Sequence, residues 1–208
     1  MTAHRVVDHE KVDRAVLAHD LGVLENMVLH MGGYLMTDAT RWDVGKSGEP
    51  PITLGGYLMR RRRLGLMADR LPVAERERLA AANEDYDNVV ARHAVRFESR
   101  AVAEIGARMR EWTTYLRDVA TSKRLAADHA HYVWKADTRV VITDLIDELR
   151  RPGYPLPDHV TDEIMALDHR LQARWAAGPF IWAPVWELAY SPAAYWWLYG
   201  YPMARAAS

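Results

Sequence analysis

Residues 73–150 read VAERERLAAANEDYDNVVARHAVRFESRAVAEIGARMREWTTYLRDVATSKRLAADHAHYVWKADTRVVITDLIDELR. No proline interrupts this stretch, and its one glycine is Gly106. Leu79, Tyr86, Val90, His93, Phe97, Ala101, Ile105, Trp112 and Val119 recur with the period of one helix face. That spacing predicts a helix from residue 73 to about residue 120. A second stripe of Leu125, His129, Tyr132, Ala136 and Val140 shifts to Ile142, Leu145 and Leu149. The phase slips at Thr121-Ser122-Lys123, where serine and threonine favour capping. A turn there gives a long antiparallel helix pair, with one continuous helix as the alternative. A helix of roughly 45 residues is about 70 Å long, against a radius of gyration of about 17 Å for a compact chain of this size. The fold is then elongated, or a second copy covers the protruding part.

Working outward, residues 8–36 carry Leu17, Leu21, Leu24, Val28, Met31 and Leu35 on one stripe. Val12, Val16, Val23, Met27, His30 and Tyr34 lie on the adjacent stripe. So wide an apolar face belongs to a helix packed against two neighbours. A loop over 37–51 leads to a second helix over 52–71, stopped by Pro72. Residues 151–157 read as a linker. Asp158 or Thr161 then caps a helix with the stripe Val160, Ile164, Leu167, Leu171 and Trp175. No strand-like alternation of useful length appears. The expected class is all-α: a bundle of about five helices, with the long antiparallel pair, over 1–176. An irregular aromatic strap over 177–208 packs on the bundle or on a partner.

The strap region reads WAAGPFIWAPVWELAYSPAAYWWLYGYPMARAAS from Trp175 to Ser208 and holds five of the eight tryptophans. Pro179, Pro184, Pro192 and Pro202 forbid one long helix. Tryptophan and tyrosine pair a large apolar body with one polar handle, which suits a half-buried surface.

Composition narrows the function classes. The 208 residues carry a formal charge of −1, with 23 arginines and only four lysines, and no cysteine. The balanced charge argues against a nucleic-acid partner. The missing thiol removes disulfides, thiol catalysis and cysteine-ligated zinc. No secretory leader or membrane-spanning run is visible, so the expected location is the cytosol. No Glu-x-x-His or His-x-x-x-His pair supports a bundle metal site. Gly45-Lys46-Ser47 lacks the upstream glycine of a phosphate loop, position 40 being Thr40. No catalytic residue is therefore assigned, and no metal; the cofactor is left open.

Several smaller constellations remain. GGYLM occurs at 32–36 and again at 55–59. Paired glycines let backbones approach closely, so a helix crossing is expected, with ligand docking on exposed amides as the alternative. Arg60-Arg61-Arg62-Arg63 wraps most of a helix circumference. Arg61 then falls near the apolar stripe and needs a partner, for which Asp20 is the candidate. Asp144, Asp147 and Glu148 read as a solvated face, as do Asp162 and Glu163. Glu187, set among tryptophans, reads as an ion-pair partner or, less simply, as a carboxylate with a raised pKa.

The first functional expectation is a non-catalytic helical protein that forms an interface, most simply a homo-oligomer, or else one with another protein. Trp182, Trp186, Trp196, Trp197 and Tyr199 are its expected anchors. The second is a small-molecule, anion or metal site, possible also as an enzyme site, lined by His30, Trp42, Arg61, His93 and His129. The third is peripheral membrane attachment through the aromatic tail.

Overall fold

The computed structural model describes residues 2–43, 48–122, 124, 127–151 and 158–203. Six α-helices carry most of these: α1 Thr2–Met36, α2 Leu54–Leu66, α3 Val73–Arg92, α4 Ala94–Thr121, α5 His129–Leu149 and α6 Asp158–Gln172. A two-stranded antiparallel ribbon, β1 Trp175–Phe180 and β2 Tyr199–Pro202, follows them. The protein is mostly α, with an aromatic strap at its C-terminal end. Its residues form two compact units, 1–100 and 101–208, the division falling within α4. No helix among the described residues is long and apolar enough to cross a membrane.

In the first unit, α1 supplies both predicted stripes. Leu17, Leu21, Leu24, Met27, Met31, Tyr34 and Leu35 are buried, although Val12 is exposed. Leu54, Tyr57, Leu58 and Leu64 of α2 and Leu79, Ala82, Tyr86 and Val90 of α3 complete this core. Thr53 starts α2 by accepting the Gly56 amide proton at 2.9 Å, as a good N-cap residue does. The second GGYLM is buried at the start of α2. A Cβ on Gly56 would stand 2.8 Å from Thr53 Oγ1 and 3.4 Å from Met27 Cε of α1. Gly56 thus leaves room for the Thr53 cap and for Met27 of α1.

One charged cluster holds the same crossing. Asp20, its side chain only 5% exposed, takes a two-pronged contact from Arg63 and lies 3.2 Å from Arg60 Nε. Its expected partner, Arg61, instead forks onto Asp87 at 2.7 and 3.0 Å. The helical period explains the correction. Positions 60 and 63 are three apart and share a face, while 61 is rotated about 100° from 60 and meets α3.

The predicted helix over 73–120 is two helices. His93 leaves the helical region at φ −124°, ψ 32°, and its amide is shared between Val89 and Val90 carbonyls. The longer segment, α4, has 28 residues and is about 42 Å long. The turn after Thr121 is present: Ser122 is outside α4, and Asp128 caps α5 through the His131 amide at 2.9 Å. Glu111 meets Lys135 at 2.7 Å and Tyr115 meets Tyr132, so α4 and α5 run antiparallel. Leu125, the residue 45–47 tripeptide and the 152–157 linker lie outside the described residues.

Two further expectations change. Asp144 and Glu148 are buried rather than solvated, and Glu148 takes Arg151 at 3.0 Å. The ribbon was not legible because Gly178 and Pro179 sit in its register shift, where proline removes a ladder donor. Gly200 closes it at φ +138°, and a Cβ there would lie 2.0 Å from Ala176 O. Only glycine tolerates that geometry.

Replacing Asp20 with alanine removes the carboxylate that Arg60 and Arg63 share in the α1–α2 crossing. Urea denaturation should then show a loss of about 3–5 kcal/mol in the stability of the first unit. A loss below about 1 kcal/mol, the level of an exposed pair, would contradict the assignment of Asp20 as a buried hub.

Candidate functional site

The strap folds onto the second unit through an aromatic network. Two 3-10 turns, Pro184–Ala189 and Trp196–Leu198, put Trp186 and Trp197 into the interior. Proline at the first position of the first turn fits, because its missing N–H has no partner to lose there. Trp182, Trp196 and Tyr199 are half-buried. Tyr132 of α5 donates its hydroxyl proton to the Trp197 carbonyl at 2.5 Å. The Trp182 indole N–H reaches the Val133 carbonyl at 3.2 Å, and the Tyr199 hydroxyl donates to Tyr190 O at 2.7 Å. Trp175 meets Trp196 edge to face at 5.2 Å, and Trp182 meets Tyr190 likewise at 5.2 Å, the arrangement that aromatic quadrupoles favour.

A buried cation anchors this network. Arg139 of α5 places its guanidinium 4.2 Å over the Trp197 ring. It forks onto Asp168 of α6 at 2.9 and 2.8 Å and donates to Thr143 Oγ1 at 2.5 Å. Its charge is thus both paired and covered, as a buried cation requires.

The five residues proposed for a pocket have the following partners. Trp42 bridges to Ile52 by two backbone hydrogen bonds of 3.1 and 2.9 Å. Its ring lies against Gly33, where a Cβ would approach within 2.8 Å, and meets His30 edge to face at 6.3 Å. Arg61 is committed to Asp87 and lies 5.4 Å over the Tyr86 ring. His93 is half-buried at the α3–α4 junction. His129 belongs to the second unit, stacked on Tyr201 at 3.8 Å. His30 and Trp42 are thus neighbours in the first unit. Glu187 is exposed. Among the described residues no group of three or more histidine, aspartate or glutamate side chains is arranged to hold a metal ion.

One surface residue escaped the sequence reading. Trp134 is 78% exposed, beside the Val133 carbonyl that Trp182 reaches. Its signal was present in the helical phase. Position 134 lies two residues from both Tyr132 and Ala136, about 200° around the helix from the buried stripe.

Burial raises the hydroxyl pKa of Tyr132 and Tyr115 above the ordinary value, with Asp128 adding to the effect at Tyr115. Tyr115, Asp168 and Tyr201 add to it at Tyr132, against Arg139. An unfolded chain releases these protons first, near pH 10. Stability is therefore full below about pH 10 and falls as pH rises past it. Melting curves across the alkaline range should show this fall, and Tyr132→Phe should make it shallower. An unchanged slope in the variant would contradict the burial argument.

No protein-family model, curated protein or solved structure matches the chain, so its function is argued from its own geometry.

Proposed function

We propose that the protein acts by binding rather than by catalysis, and that it self-associates through the surface of its second unit centred on Trp134. The observation that carries this reading is the exposure of that tryptophan, 78% of its surface being open to solvent. An exposed indole keeps in water a large apolar area that an interface would remove. Tryptophan is enriched among the residues that dominate binding energy.

The neighbourhood supports the same reading. Trp182, half-buried, donates its indole proton to the carbonyl of Val133, the residue before Trp134 in α5. Trp186 and Trp197, expected as anchors, are buried within their own chain, so their part is to hold the strap in place. Trp196 and Tyr199, half-buried, can contribute their open edges. A C2 pair would bring each Trp134 against the same patch of the other copy, the commonest symmetry of soluble oligomers.

Light scattering on purified protein should give twice the chain mass of 23.8 kDa. Trp134→Ala should return the chain mass with an unchanged far-ultraviolet spectrum, weakening association about thirtyfold or more. A wild type that stays monomeric at high concentration would overturn the proposal, as would a variant that associates equally well.

A further inference from the structure

A cavity of about 430 Å³ opens in the second unit between the C-terminal ends of α4 and α6. Leu116, Val119, Ala120, Leu171 and Pro202 form its apolar walls. Its charged lining groups are all arginines. Thr113 and Arg117 stand four residues apart on α4, and Arg170 and Arg174 stand four apart at the end of α6. On α4 that spacing puts Thr113 and Arg117 on one helix face; Arg170 is in the last turn of α6 and Arg174 in the turn just after its end at Gln172, and both line the same cavity.

Charge narrows the class of occupant. Arg117 is matched by Asp118, 3.2 Å away. The last turns of α4 and α6 each add a partial charge of about −0.5. Set against Arg170 and Arg174, this leaves an excess of about one positive charge at the cavity. Arg174 Nη1 is shut off from solvent and makes no hydrogen bond among the described residues, although a buried donor ordinarily has a partner. The Arg174 carbonyl is engaged by the Met203 amide at 2.6 Å, which fixes the backbone of that residue.

From this juxtaposition we infer that the cavity binds a compact apolar monocarboxylate, a medium-chain fatty acid in its simplest form. The head lies against Arg174, with Arg170 beside it, and the hydrocarbon body lies on the Leu116, Val119 and Leu171 wall. Guanidinium groups recognise carboxylates by parallel hydrogen bonds. A phosphomonoester carries a charge of about −1.5 to −2 and would exceed the local excess. The volume is within the range of small-molecule sites, about 300–1,000 Å³. This inference is independent of association through Trp134.

Isothermal titration with octanoate, with 1-octanol as its uncharged counterpart, tests the inference. The wild type should bind octanoate saturably and bind 1-octanol more weakly. Arg174→Met should weaken octanoate binding about tenfold or more. Ala120→Phe, which fills the apolar part and leaves every charge in place, should abolish it; this variant decides the matter should Arg174→Met fail to fold. The absence of saturable octanoate binding by the wild type would overturn the inference. Equal affinity for 1-octanol, or wild-type affinity in Ala120→Phe, would overturn it as well.

Discussion

Arg139 is the side chain on which the second unit depends. It lies on α5, pairs with Asp168 on α6 and supports the face of Trp197 in the strap. Three segments distant in sequence meet at one guanidinium. Its side chain is 8% exposed, so any arrangement that separated it from Asp168 would leave a charge in an apolar setting. A buried ion pair adds little net stability beyond an apolar replacement of the same shape. Its effect here is positional: it fixes where α6 and the strap sit against α5, and hydrophobic burial supplies the free energy. The Tyr132 hydroxyl on the Trp197 carbonyl secures the same residue from its backbone side.

The first unit uses the same device. Asp20 is buried among the apolar side chains of α1 and is met by Arg60 and Arg63 of α2. In the same unit, Tyr57 stacks on Tyr86 at 4.1 Å, with its hydroxyl 3.0 Å from Asn83 Oδ1. Each unit thus joins an apolar core to a buried carboxylate–guanidinium contact between helices. Arginine suits this task because its planar fork meets a carboxylate at two points, and the chain carries 23 arginines against four lysines.

Helical class was readable in the sequence because it depends on local period. Leu79, Tyr86, Val90, Phe97, Ala101, Ile105, Trp112 and Val119, read from their spacing, are all buried. The turn after Thr121 was readable as a phase slip. The break at His93 was not, because one residue outside the helical region needs neither proline nor glycine and leaves the stripe in phase. Ion-pair partners were misassigned because they are chosen across helices: Arg61 and Arg63 are close in sequence, but one faces α3 and the other α1. The ribbon was hidden because Gly178 and Pro179 break the alternation by which a strand is recognised. The cavity was hidden for a different reason. Its walls come from residues 113–120, 170–174 and Pro202, and a space left between helices has no signature in any one of them.

The central claim is that the C-terminal aromatics are part of the folded second unit, held through Arg139 and Trp197. Native-state hydrogen exchange tests it most directly, at the Ile181 amide bonded to Leu198 O at 2.9 Å and the Leu198 amide bonded to Tyr195 O at 2.9 Å. These amides should exchange slowly, and with the same denaturant dependence as the Val140 and Val141 amides of α5, because one cooperative opening exposes them together. Exchange at the rate of an unstructured loop, while α5 remains protected, would contradict the account.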